Sequence, residues 1–127
     1  MSTFKITLPP PPSVNRAYRS IVGRSKTGKP VSRVIMSAIG KEYKAEVLKR
    51  LMMHRFEPLT GRLKMSIEYV PPNRIKRDLD NLFKLLLDSL ESGDVFENDN
   101  QIDVLTIKRM PVDVTGCVRV FIEEIGY

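Results

Sequence analysis

The chain has one cysteine, Cys117, and one histidine, His54, in 127 residues. A lone thiol cannot form an internal disulfide, and neither residue has a companion at metal-ligand spacing. Disulfide frameworks, zinc sites and thiol catalysis are therefore set aside for a packed Cys117 and an imidazole on a helix surface. Also missing is any apolar run near the ~20 residues of a membrane-spanning helix. The N-terminus has neither the basic-then-apolar pattern of a signal peptide nor an Arg/Ser-rich amphipathic presequence, so a reducing cytoplasm is the expected compartment. No internal repeat divides the chain, and 42% apolar residues suit a single globular domain over residues 1–127.

The most telling absence is of acid. Residues 1–41 hold no Asp or Glu but eight cations: Lys5, Arg16, Arg19, Arg24, Lys26, Lys29, Arg33 and Lys41. They carry +8 of a net charge of +6, so the remainder carries −2. A basic N-terminal third of this kind attracts a polyanion. Six of the cations lie between Arg16 and Arg33, among Gly23, Gly28 and Pro30 and with little periodicity. That segment is expected to be a mobile loop, with Arg16, Arg19 and Arg24 as candidate contacts to a nucleic-acid backbone. The rival reading is a solvated loop with an incidental charge excess.

Elsewhere periodicity is clear. Phe4–Leu8 alternates as a strand and is halted by Pro9–Pro12, a stiff polyproline II exit that aims Ser13-Val14-Asn15-Arg16 in a fixed direction. The spacing of Tyr43, Val47, Leu48 and Leu51 predicts a helix over 37–54. Leu63–Val70 alternates as a second strand. Leu82, Phe83, Leu86, Leu87 and Leu90 recur at helical spacing ahead of Gly93 and predict a helix from 78–80 to 91–92. Ile102–Met110 and Cys117–Ile125 read as two more strands, expected to form an antiparallel hairpin through Pro111 and Gly116. The order β-α-β-α-β-β gives an α+β domain, a mixed sheet backed by two helices.

Arg77-Asp78-Leu79-Asp80-Asn81-Leu82-Phe83-Lys84 concentrates the chemistry. Two carboxylates suit a hard cation such as Mg²⁺, which accepts one or two of them together with water and phosphate oxygens. Arg74, Lys76 and Arg77 beside them would attract a phosphodiester backbone. The bland alternative is a helix cap and a solvated charge. Asp78 and Asp80 diverge on a regular helix and converge only if the helix begins between them, with Asp78 still extended. Asp80, Lys84, Asp88 and Glu91 form one polar stripe, in which Lys84 could share a phosphate with Asp80 while Asp88 and Glu91 are simply solvated. Asp99 lies in a polar turn, Glu97-Asn98-Asp99-Asn100, where such a residue is more often structural than catalytic.

Taken together, these residues resemble the RusA family of Holliday-junction resolvases. Leu8-Pro9 through Pro11-Pro12-Ser13 with Asn15-Arg16 and Tyr18-Arg19 is similar to that family's N-terminal signature, Arg77–Leu82 with Lys84 to its catalytic helix start, and Asn98-Asp99 with Gln101-Ile102 to its third acidic motif. The resemblance covers nearly the whole chain. It implies a homodimer that cuts four-way DNA junctions with Mg²⁺, Mn²⁺ being able to substitute. Asp78, Asp80 and Asp99 would be the catalytic metal ligands and Lys84 their basic partner. It also implies DNA contacts from Ser13, Val14, Asn15 and Arg16 and from Arg74, Lys76, Arg77 and Asn81. One departure is Asn98, which stands where the family often has a second acid. A noncatalytic structure-selective nucleic-acid binder, and a metal nuclease for flaps or RNA, are the alternatives. A helix of about 13 residues, ~20 Å long, would part Asp99 from Asp78 and Asp80. Either a loop doubles back, or the other subunit supplies Asp99, which a two-fold symmetric substrate favours.

Overall fold

A computed structural model describes residues 2–126. The chain runs β1 (Thr3–Leu8), α1 (Val14–Ala17), β2 (Tyr18–Arg24), β3 (Pro30–Met36), α2 (Ala38–Met52), β4 (Arg62–Val70), α3 (Lys84–Ser92), β5 (Ile102–Arg109) and β6 (Cys117–Ile125), with short 3₁₀ turns at Leu79–Asn81 and Asp99–Gln101. A four-stranded mixed sheet has the order β1-β6-β4-β5, and β2 and β3 make a separate antiparallel pair. The expected mixed sheet backed by helices is present.

One face of the sheet carries the core. Along β4, Leu63, Met65, Ile67 and Tyr69 alternate inward against Tyr43, Val47 and Leu51 of α2 and Leu85, Leu86 and Leu90 of α3. The other face is wet, and there Glu68 and Arg119, opposite one another in register, form an ion pair at 3.1 Å. Phe96 is fully buried in the connection after α3, bridging to Leu59. Ser37 starts α2, its hydroxyl accepting from the Gly40 N–H at 3.2 Å, close to the predicted boundary.

Two expectations are corrected. The segment from 19 to 34 is a β-hairpin, not a mobile loop: Tyr18–Arg24 pairs with Pro30–Met36, and Gly28, at φ 82°, makes the tip. The strands β5 and β6 do not form a hairpin. With α3 as the crossover, β5 lies parallel to β4, and β6 runs antiparallel between β4 and β1. Residues 110–116 therefore pass over the end of β4, where the N–H of Met110 donates to the Tyr69 carbonyl at 2.8 Å and that of Asp113 to Pro71 at 2.9 Å.

Candidate active site

The polyproline exit behaves as a connector. Pro11 is buried, Tyr43 donates its hydroxyl to the Pro9 carbonyl at 2.7 Å, and a Cβ on Gly116 would lie 3.1 Å from Pro10 and 2.9 Å from Pro72. Burial raises the Tyr43 phenol above its ordinary value, so it remains a donor. Held in this way, the proline run delivers Ser13 to the start of α1 and Arg16 to the rim of an open cleft of about 840 Å³. Lys76, Arg77, Asp78 and Asn81 line the same cleft. Residues 68 positions apart in motifs quoted separately from the sequence thus share one cavity. Arg74 lines an adjoining cleft of about 480 Å³ with Arg109.

Asp78 occupies the N-cap position of the 3₁₀ turn Leu79–Asn81, with extended backbone, yet its carboxylate makes no capping bond. The helical start falls between Asp78 and Asp80, as convergence requires. It differs from the expected single helix: i→i+3 bonds close the turn, Leu82 and Phe83 link it to α3, and regular helix begins only at Lys84. Asp78 and Asp80 are exposed, and neither carboxylate pairs with any described residue. Arg77 differs from its two basic neighbours. Its guanidinium folds back on Asn73 Oδ1 at 2.9 Å and the Ile75 carbonyl at 3.2 Å, and its own carbonyl accepts from Arg109. It shapes the loop, while Arg74 and Lys76 extend into solvent.

Lys84 does not point to Asp80. Its ammonium lies 3.3 Å from Asp88 Oδ2 and 4.7 Å from the Tyr18 ring centroid, and the Tyr18 hydroxyl donates to the same carboxylate oxygen. Burial, then the Asp88 carboxylate, raises the Tyr18 phenol above its ordinary value. Asp88 and Glu91 are therefore more than a solvated stripe, since Glu91 Oε1 accepts from the Asp99 N–H at 2.9 Å. The stripe showed Asp88 at helical spacing from Lys84, but spacing could not reveal Tyr18, which is 70 residues away.

Asp99 opens the second 3₁₀ turn, locked by a capping box between Asn98 and Gln101. Gln101, nearly buried, accepts from the N–H groups of Glu97 and Asn98 at 2.8 and 2.9 Å and donates to the carbonyls of Leu59 and Gly61 at 3.0 Å. The bond to Glu91 fixes Asp99 at the C-terminal end of α3, and the chain continues into β5 without doubling back. Nine helical residues, about 13 Å at ~1.5 Å each, lie between it and the Asp80 end. Among the described residues no three acids, histidines or cysteines gather at one metal-sized point. Arg19 and Arg24 stand on the hairpin, away from the cleft lining, and Arg24 donates to the Gly28 carbonyl at 3.0 Å. Val14 and Asn15 lie in α1.

As donors, Asp78 and Asp80 fit Mg²⁺: both are hard, exposed carboxylates unpaired with any described residue, and Asp78 lines the cleft with Arg16 and Lys76, which would receive phosphate oxygens, while Asp80 lies outside that lining. Asp99 stands apart from them, at the other end of α3 beside Glu91.

Known proteins resemble this chain over nearly its whole length. A family model described as Endodeoxyribonuclease RusA matches residues 8–123. Crossover junction endodeoxyribonuclease RusA of Escherichia coli strain K12 is 36% identical over 129 residues, covering 99% of this chain and 98% of that protein. Its namesake in Shigella sonnei is 35% identical over 127 residues, with the same coverage. The like-named protein of Enterobacteria phage 82 is 36% identical over 129 residues, again covering 99% and 98%.

Proposed function

The chain belongs to the family of endodeoxyribonuclease RusA, and on that premise we propose that it nicks four-way DNA junctions in pairs, by metal-dependent hydrolysis, during recombination and repair. The observation that carries the reading is the uncommitted carboxylate of Asp78, placed at a helical start where it caps nothing and lining one cleft with Arg16 and Lys76. An acid kept out of local structure beside cations suits a phosphate-bound metal better than it suits folding. Among the described residues no helix is long and apolar enough to cross a membrane; relatives occur in bacteria and a phage, and a bacterial cytoplasm is the proposed setting.

Asp78 and Asp80 would hold Mg²⁺, or Mn²⁺ in its place. Such a metal supplies, when bound, an activated water and charge compensation for the leaving oxygen. The chain's own residues do the rest. Arg16, Arg74 and Lys76 draw in and seat the backbone phosphates, while Ser13, Val14, Asn15 and Asn81 border the path. Hairpin residues Arg19 and Arg24 extend the basic surface along an arm. The Lys84 ammonium offers N–H donors to the negative charge that grows on the scissile phosphate. A symmetric junction needs two cuts, which a two-fold homodimer supplies, and in that dimer Asp99 completes the acid set of the other protomer.

The test is a substrate panel. Synthetic four-way junctions should be nicked symmetrically with Mg²⁺ and left intact in EDTA, with duplex, flap and RNA substrates resistant. Junction binding without nicking would make the protein a noncatalytic binder, and preferential cleavage of flaps or RNA would reassign its substrate.

A further inference from the structure

Lys84 is the first residue of α3, where the unsatisfied N–H groups and the positive end of the helix disfavour a cation. Its carboxylate partner, Asp88, lies one turn toward the C-terminus, the weaker order for an i,i+4 pair. Helix stability therefore gives no reason for a lysine here. What holds it comes from outside the helix. Tyr18 donates its hydroxyl to the same Asp88 oxygen that Lys84 approaches, and its ring lies 4.7 Å from the ammonium, so phenol, carboxylate and ammonium close a triangle. Tyr18 is itself fixed: it is the C-cap of α1, its N–H donates to the Val14 carbonyl, and the preceding Ala17 is fully buried with its carbonyl accepting from Ser37 at 2.8 Å.

We propose that Tyr18 and Asp88 are positioning residues that fix the Lys84 ammonium in one place, a helical turn along from Asp80, with one N–H directed to Asp88 and the others free for a phosphate oxygen. The inference rests on the function proposed above and extends it. An ammonium has three donors, and the triangle engages one. A flexible four-carbon stem on an exposed surface is thereby restricted before substrate arrives, so little freedom remains to be lost at the reaction. Tyr18 also sits between Arg16 of α1 and Arg19 of β2, two of the proposed backbone contacts, so the segment proposed to meet DNA also holds the lysine.

The experiment uses the full-length protein and the variants Tyr18→Phe and Asp88→Asn, each chosen to keep shape and remove one bond. Three quantities are read: single-turnover nicking of a synthetic four-way junction with Mg²⁺, junction affinity in EDTA, and the NMR signal of ¹³Cε-labelled Lys84, assigned by its loss in Lys84→Arg. Expected are an upfield, ring-shifted Lys84 signal in the wild type that moves toward the exposed-lysine position in Asp88→Asn, and nicking roughly 10- to 100-fold slower in both variants at unchanged affinity. Unchanged nicking rates in both variants would overturn the proposal. So would a parallel fall of rate and affinity, or a wild-type Lys84 signal indistinguishable from exposed lysines. A wild type that fails to nick junctions while Lys84 remains ring-shifted would instead overturn the proposed function and leave the lysine clamp standing.

Discussion

An aspartate just before a helical turn ordinarily gives its carboxylate to backbone N–H groups two or three residues on, and losing such a cap costs ~1 kcal/mol. Asp78 makes no such bond. Asp78→Asn should therefore leave thermal stability within about 0.5 kcal/mol of wild type while abolishing nicking, with junction binding equal or tighter because a negative charge beside phosphate is gone. Melting curves and binding in EDTA check the two halves. Asp80→Asn and Asp99→Asn should likewise stop cleavage. Lys84→Ala should slow cleavage without weakening metal affinity, and a large shift in its metal titration would assign the lysine to the carboxylates instead. Gln101 presents the opposite case, since its amide satisfies four backbone groups. Gln101→Ala would strand several of them and should cost about 3 kcal/mol, read by urea denaturation.

At the scale of elements, Gly40 decides how α1 meets α2. Helix propensity alone says that Ala would stabilise this position by up to ~1 kcal/mol. A Cβ there, however, would press into the Ala17 carbonyl and lie 2.7 Å from Met36 Cγ. Close approach should win, and Gly40→Ala is expected to destabilise by about 1–3 kcal/mol, seen as a lowered Tm. The basic arm is tested through salt. Replacing Arg16, Arg19 and Arg24 with Gln should weaken junction affinity and flatten its dependence on log salt, since fewer counterions are released. An unchanged slope would remove α1 and the hairpin from the DNA path. These elements also mark the limit of what was legible in the sequence. Wherever one face is buried, as in β1, β4 and α2, the alternation of Phe4 with Ile6 or the spacing of Tyr43 with Val47 revealed the element. The hairpin β2–β3 buries almost nothing and leaves Val22 and Val34 exposed, so no period announced it. Strand partners were equally hidden: β5 and β6 look like a hairpin because they are adjacent in sequence, whereas β4 stands between them. The motifs containing Asp78, Asp80 and Asp99 could be read, but the placement of Asp99 beside Glu91 could not, because it depends on the folded connection around Phe96.

For the whole molecule, the acids divide between the two ends of α3, and the proposed trans site makes a prediction about mixed dimers. Mixing inactive Asp78→Asn subunits with inactive Asp99→Asn subunits should restore some nicking, because the heterodimer assembles one intact site. If Asp99 served its own chain, every mixed dimer would stay dead. Sedimentation of the wild type should show a dimer, and single-hit cleavage by the mixture would match one restored site.

Strand order has a further consequence, for the timing of synthesis. The strand β6, last in order among the described elements, lies between β1 and β4, with Leu8 opposite Val118 and Val70 opposite Cys117. Until Cys117–Ile125 has emerged, the first strand made has no partner in the main sheet, and β4 can close only on its parallel neighbour. A nascent chain stalled before residue 117 should therefore remain protease-sensitive and occupy chaperones, becoming resistant in one late step once the final strand enters the gap. A nuclease built in this way acquires its junction-cutting fold only after Cys117–Ile125 has been made.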